Sequence, residues 1–138
     1  MSIISSIRDF ILTFPELHEG DLYIDFLGAG ANQCTLEPVP CDPVYRRYTD
    51  GGALKQYLFV FASREYYSAD VAQCAANQEF YEIFAAWVKA QNKAGNLPEL
   101  GADRYAVSLE VLTSGYVFYE DTETARYQIQ LRLIYEEE

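Results

Sequence analysis

The side chains with the greatest chemical reach in this chain are one histidine, three cysteines and 21 Asp and Glu residues. Any histidine-based triad, general base or metal cluster would have to pass through His18, which sits in a connection between Pro15 and Gly20. A histidine in a surface loop is the simpler expectation. Cys34, Cys41 and Cys74 are odd in number and lack the CxxC spacing of zinc or redox sites, so free thiols are expected. No signature around a nucleophile ties any of them to His18. Carboxylates could supply an acid and a base only if a cleft held two of them in different environments. Asp70, Glu79 and Glu82 read better as charges near a helix start, and no EF-hand pattern occurs. Residues 28–33, Gly-Ala-Gly-Ala-Asn-Gln, follow an apolar run as a dinucleotide fingerprint would. The third glycine is missing, however, and prolines stand where the helix should begin, so a plain turn is expected. The sequence therefore predicts no catalytic residue, no cofactor and no metal site, and enzyme activity is not the expected function.

Tyr45, Arg46, Arg47 and Tyr48 form the one compact basic and aromatic cluster in a chain of net charge -11. Such a cluster can stack on bases, dock on an acidic neighbour, or simply be a solvated strand whose arginines pair with nearby carboxylates. With 10 Lys and Arg against 21 Asp and Glu, the chain repels a phosphate backbone, which favours protein contact over nucleic acid. Twelve tyrosines suit half-exposed sheet faces and contact surfaces, because each ring carries a polar hydroxyl.

The elements that must position these groups read as one α+β domain spanning residues 1–138, with 50% hydrophobic residues to build its core. Ile3, Ile4, Ile7, Phe10, Ile11 and Phe14 recur at helical spacing after Ser2, a plausible N-cap. Residues 22–27 predict a strand. Prolines at 38, 40 and 43 restrict residues 35–44 to an extended edge or a loop. Residues 44–48 predict a brief strand, residues 50–52 a turn, and the nearly unbroken apolar run 55–62 a central strand covered on both faces. A long helix starts at Asp70 or Asn77, or is broken between them. Its apolar face is Phe80, Ile83, Phe84, Trp87, Val88 and Gln91, and Gly95 followed by Pro98 ends it. Burying the large apolar side chains of that face contributes on the order of 7–15 kcal/mol before conformational entropy is subtracted.

Tyr105, Val107, Leu109 and Val111, then Tyr127, Ile129, Leu131, Leu133 and Tyr135, alternate as the two strands of a long antiparallel hairpin. Between them, Gly115 permits a bend and residues 120–123 make an acidic turn. Tyr116, Phe118 and Arg126 on this hairpin join the Tyr45 to Tyr48 cluster as candidate contact residues, since a free sheet edge must be covered, charged or paired. No stretch approaches the length of a membrane span, and residues 1–14 lack the features of a secretory signal, so an intracellular soluble protein is expected.

The order of these pieces resembles a known family. Leu58-Phe59-Val60-Phe61-Ala62-Ser63-Arg64-Glu65-Tyr66-Tyr67-Ser68, then Asn77-Gln78-Glu79-Phe80-Tyr81-Glu82 leading to Trp87 and Gln91-Asn92, then Leu97-Pro98, is followed by strand Tyr127-Gln128-Ile129-Gln130-Leu131-Arg132-Leu133-Ile134-Tyr135. This succession, over residues 54–135, is similar to the tail terminator and minor capsid proteins of long-tailed phages and prophages. The resemblance implies a virion subunit that forms a hexameric ring at the head-proximal end of the tail tube and meets the tail-tube and head–tail connector proteins. It also implies that DNA passes through the lumen without specific binding. A connector stopper or tail-completion protein is the near alternative. A small cytosolic ligand-binding or enzymatic α+β domain, with Tyr66, Tyr67 and His18 around a pocket, is the alternative of another class.

Overall fold

In the computed structural model the described residues are 2–17, 22–27, 31, 33–49, 52–68, 70–120 and 123–137, excepting the side chain of Tyr119. The expected loop histidine, His18, and most of the turns expected at 28–33 and 50–52 lie outside them. Helix α1, Ile3–Ile11, begins where the Ser2 hydroxyl accepts the Ser5 N–H at 3.2 Å, and it buries Ile7 and Ile11. Three strands follow: β1, Leu22–Ile24; β2, Gln33–Val39; and β3, Val44–Arg47. The long strand β4, Ala53–Tyr66, leads into helix α2, Val71–Ala94, and three more strands complete the chain: β5, Arg104–Val111; β6, Tyr116–Glu120; and β7, Thr124–Glu137.

The strands form one seven-stranded sheet in the order β1-β2-β4-β7-β5, with β3 added to β4 and β6 added to β7. Leu54 to Tyr66 of β4 pair with Glu136 to Thr124 of β7 along their whole length, so these two strands are the axis of the sheet. On one side, β2 and β3 share the outer edge of β4. On the other, β6 takes the first half of β7 and β5 the second. Every pairing is antiparallel except that of β1 with β2, so the expected α+β fold is realised with a mixed sheet.

Both helices lie on one face. Phe59 and Phe61 of β4 and Ile129, Leu131 and Leu133 of β7 meet Phe84 and Val88 of α2 and Ile7 and Ile11 of α1 in the core. Phe61 stacks on Phe84 with ring centroids 4.5 Å apart, and Phe14 meets Phe84 edge-on at 5.3 Å. The expected central strand is found, but among the described residues no second layer covers the face away from the helices, where Val60 and Ala62 are buried and Leu54, Gln56, Leu58 and Arg64 are half-buried.

Several expectations need correction. Helix α2 runs unbroken from its Asp70 cap, whose carboxylate accepts the Ala72 N–H at 3.0 Å, and Asn77 is a buried residue within it, not a second start. Its buried line is Asn77, Tyr81, Phe84 and Val88, so the face is turned toward Tyr81, and Ile83 is 40% exposed. Tyr81 can go inside because its hydroxyl finds partners there. Phe80 and Trp87 flank that line, and both approach Phe14 of the segment after α1.

Residues 33–39 form a strand that is internal over Cys34 to Leu36, where β1 pairs, and becomes an edge from Glu37 on. The prolines begin only where no neighbour needs their missing N–H. In β5 a bulge between Ala106 and Ser108 breaks the alternation, leaving Tyr105 and Val107 exposed and Ala106 packed on the core with Leu109. The tight hairpin partner of β7 is β6, while β5 pairs farther along the same strand.

Candidate functional site

The face of the sheet away from the helices carries the polar half of each strand's alternation. Arg126 stands opposite Arg64 in the register, a like-charge pairing, and Arg64 Nη1 donates to Thr124 Oγ1 at 3.3 Å. The two terminal nitrogens of Arg126 donate to the Glu37 carboxylate at 3.1 and 2.8 Å, and its Nε donates to Gln128 Oε1 at 3.1 Å. The Phe118 ring lies 5.3 Å from its guanidinium carbon. Farther along β7, Tyr116 Oη accepts from Gln128 Nε2 at 2.7 Å and from Gln130 Nε2 at 3.4 Å. Arg132 donates through Nε and Nη2 to Glu110 Oε2 at 3.0 and 2.7 Å, and the Tyr45 ring lies 4.9 Å from its guanidinium carbon.

The structure thus brings Tyr45, Tyr116, Phe118 and Arg126 onto one face, each already holding a neighbour from its own chain. Arg46, Arg47 and Tyr48 stand apart from them. Arg46 and Arg47 are exposed on β3, where Arg46 pairs in register with Leu54 and Arg47 with Ala53, and Tyr48 follows the strand. Period-two spacing of Arg126, Gln128, Gln130 and Arg132 was the available signal for this polar face, because they alternate with the apolar residues that mark the core.

Beneath the sheet lies a buried polar cluster that the sequence did not reveal. Tyr81 Oη and Ser63 Oγ are hydrogen-bonded at 2.6 Å, and Tyr81 Oη also donates to the Tyr127 carbonyl at 2.9 Å. Asn77 Nδ2 donates to the Tyr66 carbonyl at 2.8 Å and to Tyr127 Oη at 3.4 Å. Burial lifts the Tyr81 hydroxyl well above its usual range, and burial followed by the nearby Glu65 charge pushes the Cys34 thiol up to about 12. A nucleophile or base working near neutrality needs the opposite displacement, so this cluster acts as a brace joining α2 to the sheet.

Two surface cavities flank α2. One of about 400 Å³ lies between α2 and β5, lined by Ala85, Val88, Lys89, Asn92, Leu109 and Glu110. There Asn92 Oδ1 accepts the Leu109 N–H at 3.0 Å. The other, of about 410 Å³, lies among Tyr66, Tyr67, Gln73 and Glu123. Neither contains the buried cluster. Among the described residues, no group of three or more His, Cys, Asp or Glu side chains is placed to hold a metal ion. No helix among them is long and apolar enough to cross a membrane. Comparison with models of known protein families and with curated proteins finds no match.

Proposed function

We propose that this chain is a structural virion protein, a subunit that rings the head-proximal end of a phage tail tube, ends tube growth and offers the surface to which the head is joined. The observation that supports this reading is the distribution of reactive and apolar groups. Charged and aromatic side chains are gathered on an uncovered sheet face, while Tyr48, Tyr105, Val107, Val117 and Phe118 are exposed along its outer strands or beside them. Surfaces of this kind recognise other surfaces.

A tube that grows by repeating one head-to-tail contact stops when a ring binds whose lower face matches the tube and whose upper face does not. Six copies of the chain would form that ring, with the tail-tube protein below and the connector protein above. No catalysis is needed. The net charge of -11 would let DNA leave the head through the lumen without being held. The place of action is the mature virion, after assembly in the bacterial host. A connector stopper or tail-completion protein would use the same surfaces, and gene order separates the two, since a terminator gene is expected directly before the gene for the tube protein.

Electron microscopy of particles made without this gene product tests the proposal. Tails of uncontrolled length, or finished tails unjoined to heads, are expected. Normal particles would overturn it.

A further inference from the structure

We propose that copies of the chain join head to tail through opposite corners of the sheet, the β3 edge of one copy seated on the β6 edge of the next. This rests on reading the chain as a self-assembling subunit and names the contact that would assemble it.

The first corner is defined by its arginines. Arg8, Arg64, Arg104, Arg126 and Arg132 each engage a partner inside the chain. Arg46 and Arg47 are exposed and engage none among the described residues, although the chain has twice as many acids as bases. Tyr48, also exposed, extends this corner. An arginine pair left unmatched on a sheet edge, with an aromatic ring beside it, is a ready-made half of a contact with an acidic and apolar surface.

The second corner supplies that surface. Among the described residues strand β6 pairs only with β7, which leaves its other edge open, with Val117 and Phe118 exposed and Phe118 the more so at 60%. Glu120 ends β6 and Glu123 precedes β7, both exposed, with Glu120 also hydrogen-bonded to the Tyr67 hydroxyl. Strand β5, on the same side of the sheet, is less open to another strand. Its Leu109 N–H is already taken by Asn92.

The geometry fixes the type of contact. Strand β3 lies along residues 53–55 of β4, at one end of the sheet, and β6 along residues 125–128 of β7, near the other end and on the opposite edge. Two unlike patches on opposite edges cannot form a two-fold dimer with each other. They join head to tail, and such contacts close into rings when the rotation allows. Strand addition would supply backbone bonds, and the charges would set register and direction.

Charge reversal in both directions tests this, with assembly followed by sedimentation across protein concentration. Arg46→Glu with Arg47→Glu, or Glu120→Lys with Glu123→Lys, should each raise the concentration needed for assembly by about 10- to 100-fold. An equimolar mixture of the two variants should assemble like the unaltered chain, because every reversed edge then meets a reversed partner in an alternating ring. A mixture no better than its components overturns the proposal. Assembly untouched by either reversal also overturns it, while leaving the ring reading intact with some other contact. An unaltered chain that stays monomeric at every concentration and on isolated tail tubes overturns both. A salt titration of the unaltered chain needs no variant to fold: assembly should weaken as salt rises, and indifference to salt would count against the arginine–glutamate contact.

Discussion

Gly115 is held by space. A Cβ built at that position would overlap the Cβ and ring of Tyr81, and Tyr81 cannot step aside because Ser63 and the Tyr127 carbonyl hold its hydroxyl. Gly115→Ala is expected to destabilise the fold by about 1–3 kcal/mol, read as a lower urea midpoint with an unchanged slope. From sequence, this glycine signalled only a bend. Its partner lies 34 positions away in the chain, and nothing local announces a close approach.

Cys34 makes a second residue-level prediction. Its thiol titrates near 9.0 when free and at about 12 when folded, so the folded state holds the proton over that interval. Stability from this source is complete below pH 9 and is lost as pH rises toward the folded value. Melting temperature should fall above pH 9, and Cys34→Ala should make that fall shallower. An identical slope in the two proteins would show that Cys34 does not carry it.

At the scale of elements, periodicity located both helices and most strands but erred wherever a polar side chain had a hidden partner. Helix α2 turns Tyr81 inward and Ile83 outward, against hydrophobicity alone, because a buried hydroxyl with two partners costs little and braces the helix to β4 and β7. The bulge in β5 likewise breaks a pattern that reads as regular in the sequence. Capping is local, so the end of α2 at Gly95, with φ of 78°, was legible, whereas its start at Asp70 was one of two that the spacing allowed.

Trp87 belongs to the seam between the helices, where its ring centroid lies 5.1 Å from those of both Phe10 and Phe14. Trp87→Asp would place a charge in that aromatic contact. Loss of cooperative melting is expected, with amide protection lost first at Ile7 and Ile11, whereas a soluble mutant melting like the parent would contradict this.

For the whole molecule, the sequence disclosed composition, charge and the order of pieces, but not which candidate contact residues share a surface. Tyr45 and Arg126 are far apart in the chain, yet they project onto one sheet face because β4 and β7 lie side by side. Arg46 and Arg47, next to Tyr45, remain outside that network because β3 is short and ends at the sheet edge. Such placement depends on strand pairings between distant segments, which residue types do not encode locally.

The pairing of β4 with β7 also sets a sequence of events during synthesis. The ribosome makes β4 first, then all of α2, β5 and β6, before the strand that covers its second edge exists. At about 5–20 residues per second, this apolar strand waits several seconds in the growing chain, half-edged and open to wrong partners. A message truncated before Thr124 would yield a product destined for chaperones or inclusion bodies, since the nascent chain has no finished core to fall back on.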